Sequence, residues 1–404
     1  MEPNLLLKAR MLTSQVFVGS LGILAKSLVA SVALFALPAG LLRAQGDNQV
    51  TPPFLPAQVR VLSTIPPNGD LNPYGVATVP QQFPAGATVN PSDILVSNFN
   101  NSSNLQGTGT TIVRIQASGP ASVFFQGKAP LGLTTALNVL QAGFVVVGNF
   151  PSPDLSGNCA TAQAGSILVI NKKGKQVGSI VDPSINGPWD SALFDQGSTA
   201  KLFVANGLSG TIVRLDLAVK PSGVSLQKAT QIASGYGNHC DPVTFVDAPT
   251  GLVYDSTTDV LFVASTVDNA IFAVSGAGNR TNDSGMGTIV YQDPVHLHGP
   301  LAMAMAPNGH LIVSNNDAIN PDPNQPSEIV EFTTQGVFVR QISVDQNPGG
   351  SFGLNIVASL SAARFALVDD NVNALSIWTF GLPQAERPEE RRSTDGQERL
   401  QENP

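Results

Sequence analysis

The sequence predicts an all-β fold, a six-bladed β-propeller of four-stranded blades. Three observations predict it: a composition suited to strands and turns, a strand pattern that recurs six times, and an N-terminal strand that completes the last blade. The 404 residues include 38 Gly and 30 Pro, are 42% apolar, and are only 12% charged. A typical soluble domain carries roughly 25% charged residues. The low charge and apolar richness exclude a disordered chain. They also exclude coiled coils, which fill about half of their positions with Ala, Glu, Lys, Leu and Arg. The net charge of −8 argues against nucleic acid or an anionic lipid surface as a partner.

Residues 1–44 read as a signal peptide or an N-terminal anchor. Lys8, Arg10 and Lys26 precede the uncharged run SLVASVALFALPAGLL at 27–42. That run is shorter than the ~20 residues a spanning helix needs. The order basic, apolar, small is that of a secretory signal, so the body is expected to be secreted, periplasmic or at the cell surface. No later segment reaches membrane-spanning length. A linker at 45–56 leads into the propeller at 57–382. The tail at 383–404 is rich in Arg, Glu, Gln and Pro, has no apolar face, and is expected to be disordered.

Within the body, one short strand recurs roughly every 50–60 residues. Its copies are ILVSN (94–98), FVVVGN (144–149), LFVAN (202–206), LFVAS (261–265), LIVSN (311–315) and ALVDD (366–370). Each ends on a small polar side chain. A second apolar strand follows each copy, TIVRIQ (111–116) and TIVRLD (211–216) among them, and a weaker strand beginning near Gly or Pro precedes each. Outer strands such as ASVFF (121–125) complete five units. The sixth has none after it, but QVRVLST (58–64) lies unpaired ahead of the first unit. A ring whose last blade borrows the first strand has no open edge.

The segment APNGHLIVSN (306–315), with Asn308-Gly309 as a tight hairpin turn, resembles the repeat of NHL and gluconolactonase-like six-bladed propellers. The resemblance covers roughly 58–382. It implies a lactonase-type site in which a divalent cation polarises a carbonyl.

In such a ring, the second-to-third-strand loops and the blade-to-blade connections share one face. The polar strand ends Asn98, Asn149, Asn206, Asn315 and Asp370, with Asp190, are expected at the channel mouth on that face, as a candidate ligand-binding ring. The same Asn side chains could instead satisfy backbone groups where strands end. His239, His296 and His298 fall in blade-to-blade connections there and are a candidate zinc or copper set. Cys159 and Cys240 map to that face too and are expected to form a disulfide. Nucleophile and phosphate-binding motifs are absent from the sequence. Two readings follow. One is an exported, monomeric binding or scaffold module for a small molecule, glycan or peptide, with no certain cofactor. The other is a lactonase-type hydrolase that uses a divalent cation, Ca or Zn.

Overall fold

The computed structural model describes residues 60–116, 120–316, 318–358 and 362–381. The expected signal or anchor, the linker and the charged tail lie outside the described residues. No helix among them is long and apolar enough to cross a membrane.

Six four-stranded antiparallel sheets form the blades of a propeller. Counted outward from the axis, blade 1 comprises Leu71–Thr78, Ile94–Asn100, Thr111–Ile115 and Ser122–Gln126. The inner strands of blades 2 to 5 are Leu133–Leu140, Pro188–Asp195, Pro249–Asp255 and Pro300–Met305. Blade 6 runs Ser351–Ala358, Ala362–Asp369 and Ala374–Gly381, and takes Arg60–Ser63 as its outer strand. The inner strands touch in chain order around the ring, and the sixth meets the first.

Each blade buries both faces, which is why its middle strands read as unbroken apolar runs rather than alternating ones. In Ile94–Asn100, Leu95 enters the apolar layer between blades 1 and 2, while Ile94 and Val96 enter the layer on the other side. Equivalent layers fill the other junctions.

All six inner strands break register with the second strand at the same height, between Pro73 and Val76, Leu133 and Leu137, Pro188 and Asp190, Pro249 and Leu252, Pro300 and Met303, and Ser351 and Leu354. Such bulges bend a strand and re-aim its side chains. Here they draw the strands together at one end of the channel. A Cβ on Gly353 would lie 1.6 Å from the Tyr74 carbonyl oxygen, and one on Gly251 2.2 Å from that of Leu301. Hydroxyls stitch neighbouring blades at this level. Ser97 Oγ donates to Thr134 O (2.8 Å), Thr134 Oγ1 to Pro188 O (2.8 Å), Thr250 Oγ1 to Pro300 O (3.2 Å) and Ser314 Oγ to Phe352 O (2.7 Å).

The ring closes as the unpaired N-terminal strand predicts. Arg60 pairs with Ile377, Leu62 with Leu375 and Ser63 with Ala374. Leu62 also packs against the apolar layer between blades 6 and 1. A chain that starts at residue 66 is therefore expected to expose the strand Ala374–Gly381 as an open edge. Urea unfolding should show a loss of several kcal/mol, and size-exclusion chromatography should show oligomers that the full chain does not form.

Candidate functional site

The bulges set what stands at each end of the channel. The residue in the middle of each bulge is Tyr74, Trp189, Leu301 or Phe352 in four blades and Thr134 or Thr250 in the other two. The four large ones meet Phe99, Phe150 and Phe245 in one buried cluster. Tyr74 stacks on Phe352 at 3.9 Å and on Phe99 at 4.8 Å. Trp189 meets Phe99 and Phe150 edge-on at 5.2 and 5.9 Å. The edge-to-face contacts of Trp189 are among the favoured geometries for rings. The cluster plugs the channel on the face of the second-to-third-strand loops, where the sequence reading places a mouth.

Below the plug, the channel is a cavity of about 500 Å³ lined by all six inner strands. It reaches Pro80, Gln82, Gln141 and Asp195, which lie by the first-to-second-strand turns, so it opens on the opposite face. Its walls differ. In blades 6, 1, 2 and 3, Thr78 Oγ1 donates to Asn355 Oδ1 (2.8 Å) and Asn138 Nδ2 to Ser191 Oγ (2.7 Å). Blades 4 and 5 present Val253, Tyr254, Ala304 and Met305, and Val139, Leu193 and Ile356 line the cavity from blades 2, 3 and 6.

Asp190 lies at the closed end, 7% exposed. The equivalent position after the bulge is Gly75, Gly251, Ala302 or Gly353 in four other blades. Burial pushes the Asp190 carboxyl up to about 8, and the backbone N–H groups of Ser191 and Leu252 lower it only in part. The Ser191 N–H lies 2.7 Å from Oδ1. At neutral pH the group is largely protonated and can donate a hydrogen bond into the cavity.

The expected ring of strand-end amides is present and latches loops. Asn98, Asn206 and Asn315 are fully buried, and Asn149 is 8% exposed. Asn98 Nδ2 donates to Thr64 O (3.1 Å), and Asn149 Oδ1 accepts from the Gly132 N–H (3.0 Å). Asn206 accepts from the Asn186 N–H (2.9 Å) and donates to Ser184 O (2.8 Å), and Asn315 Nδ2 donates to His296 O (2.9 Å). Each amide ties the connection entering its own blade. In the sixth blade the pairing makes Asp369 the equivalent residue, since it faces Ser351 as Asn315 faces Pro300. Asp370 follows it, and burial with the neighbouring Asp369 raises its carboxyl well above the ordinary range.

The three histidines do not converge. His296 Nδ1 meets Asp293 Oδ2 at 2.5 Å and stacks on Phe338 at 3.9 Å. His298 Nδ1 meets Glu328 Oε1 at 2.8 Å, and His239 Nε2 lies 3.4 Å from Asp247 Oδ2. Among the described residues, two groups could hold a metal ion: His239 with Asp241 and Asp247, and His298 with Asp322 and Glu328.

Cys159 and Cys240 form the expected disulfide, with Cα atoms 5.5 Å apart. It ties the loop after Phe144–Asn149 to a two-stranded ribbon, His239–Asp241 paired with Phe245–Asp247. Sequence reasoning missed this ribbon, which interrupts the connection between blades 3 and 4. It delivers Phe245, at φ +72°, into the plug.

The fold and site define a six-bladed propeller whose channel is closed at one face and open at the other. Its resemblances among solved structures are distant. A putative oxidoreductase (glucose dehydrogenase) from Thermus thermophilus superposes with a TM-score of 0.48 at 13% identity, over 80% of this chain and 100% of that one. A calcium-binding protein, regucalcin, from Agrobacterium tumefaciens gives 0.47 at 10%, over 79% and 94%. A putative gluconolactonase gives 0.43 at 12%, over 82% and 96%. No protein-family model matches the chain, and no curated protein sequence does.

Two outcomes follow from this geometry. Asn206→Ala leaves the Asn186 N–H and the Ser184 carbonyl without their partner. Chemical unfolding should show a loss of about 2–3 kcal/mol, whereas the exposed Asn279→Ala should show almost none. Asp190→Asn tests the buried carboxyl. Below pH ~4, folded and unfolded chains both hold Asp190 neutral. From there up to about 8, the unfolded chain ionises while the folded chain resists, so stability falls as pH rises. Urea unfolding should therefore show the Asn variant gaining on the parent between pH 5 and pH 8, by on the order of 1 kcal/mol or more.

Proposed function

We propose that this protein is a binding module that takes a small, uncharged, amphipathic molecule into its central channel. The observation that carries this reading is the channel itself, about 500 Å³, blind at one end and lined by hydrogen-bonding groups of blades 6, 1, 2 and 3 set among apolar groups from all six blades. That volume suits a small molecule rather than a folded partner. Asp190 at the blind end supplies a neutral donor, and Thr78, Asn138, Ser191 and Asn355 supply hydrogen-bonding groups for hydroxyls or carbonyls. The Cys159–Cys240 disulfide supports export, since such bonds persist in oxidising compartments.

A lactonase-type reaction would need a divalent cation held by several oxygen ligands at the axis. Among the described residues, the channel holds Asp190 at its blind end and Asp195 at its open end. Of the amides beside the plug, Asn149 and Asn206 spend their oxygens on loop N–H groups, while Asn98 and Asn315 are held through Nδ2. With one carboxylate at each end, the channel itself supplies too few oxygen ligands for such a cation, which favours binding over turnover.

A thermal-shift screen of neutral monosaccharides, sugar lactones and short amphipathic alcohols tests the reading. A binding compound should raise Tm in the parent, and Ala304→Phe, which fills the channel, should abolish the shift. A shift that survives Ala304→Phe would place the ligand elsewhere and overturn the reading.

A further inference from the structure

The ribbon on the plugged face carries a second arrangement, independent of the channel. Its register sets His239 opposite Asp247, Cys240 opposite Val246 and Asp241 opposite Phe245. Side chains two apart on a strand, and those directly opposed across a pair, share a face. His239, Asp241 and Asp247 therefore share one face of the ribbon with Phe245, whose ring is buried in the plug. Cys240 and Val246 occupy the other, where the disulfide and burial in the plug hold the ribbon down.

One donor atom from each of the three lies within 4.8 Å of the others. His239 Nε2 and Asp247 Oδ2 are 3.4 Å apart. Two ligands that each lie about 2.1 Å from one tetrahedral ion are separated by about 3.4 Å. Neighbouring groups hold the carboxylates in place. Asp247 Oδ1 accepts from Thr244 Oγ1 (2.8 Å) and from Asn316 Nδ2 of blade 5 (3.4 Å), which leaves Oδ2 toward His239. Asp241 Oδ1 accepts from the N–H groups of Val243 (2.7 Å) and Thr244 (3.0 Å), fixing its carboxylate in a turn. Support of this kind for ligand side chains is usual at metal centres. Asp247 is 2% exposed and His239 is 56% exposed, so the site has a buried floor and a side open to water.

We propose that His239, Asp241 and Asp247 bind one divalent transition-metal ion of the zinc class. Two carboxylates balance its charge. The imidazole nitrogen is a ligand that zinc accepts and that calcium, an all-oxygen ion, does not favour.

The test is calorimetric titration of the tag-free, oxidised full chain with ZnCl₂ and, separately, with CaCl₂. We expect one equivalent of zinc, with affinity falling roughly tenfold or more in His239→Ala and in Asp241→Asn. His298→Ala should bind as the parent does, and calcium should give no comparable signal. Neither His239 nor Asp241 is buried, so these variants should keep the parent Tm, which is measured alongside. Absence of zinc binding, unchanged affinity in His239→Ala, loss only in His298→Ala, or preference for calcium would each overturn the proposal. The Ala304→Phe channel variant should bind zinc normally, so failure here leaves the channel reading standing.

Discussion

The architecture depends on one constraint: six inner strands must converge at one end of the channel without steric collision. A single bulge at a shared height in every blade meets it. The bulge exposes backbone carbonyls that would be costly to bury unpaired. Hydroxyls on Ser97, Thr134, Thr250 and Ser314 reach across blade junctions to satisfy them. Convergence leaves no room for a side chain at this position in blades 1, 4 and 6, where Gly75, Gly251 and Gly353 stand. The large residues one position earlier have only the axis to fill, and the plug follows.

The same economy governs charge. With 12% charged residues, the chain has few cations to set against its buried carboxylates. His239, His296, His298 and His310 each face a carboxylate: Asp247, Asp293, Glu328 and Glu331 respectively. This distribution explains why a trio of histidines legible as a metal set becomes three separate pairs. Each imidazole faces its own carboxylate, and nothing draws the three rings together.

Much of the fold was legible because propeller blades bury both faces. The repeated ILVSN-like runs mark second strands directly, and the surplus N-terminal strand implies the closure seen between Arg60–Ser63 and Ala374–Gly381. The disulfide was legible from a lone cysteine pair in a chain expected to be exported, and from the loops that carry it. The plug was not, since Pro-Tyr-Gly, Pro-Trp-Asp and Ser-Phe-Gly share a bulge rather than a sequence pattern. Counting along Asp369-Asp370 cannot say which carboxylate ends the strand, because only the pairing with Ser351 decides it. The ribbon at 239–247 was hidden by its length. Three-residue strands carry too little periodicity to register, and what holds them is a disulfide and Phe245 rather than propensity.

Asp190 sits where the steric and the electrostatic constraints meet. Its position belongs to a set that sterics keep small, with Gly or Ala in four other blades. A carboxyl there gains two backbone N–H groups and loses water, and the balance pushes it up to about 8. For the fold alone, glycine or alanine would serve at less cost. A polar group kept against the local rule, at the blind end of the channel, has its clearest physical rationale in something the channel receives. An acceptor entering from the open face would meet a neutral donor at the far end, with Thr78, Asn138, Ser191 and Asn355 among the apolar groups along its way. The constraint that closes the channel at one face thus also makes a binding cavity of what remains.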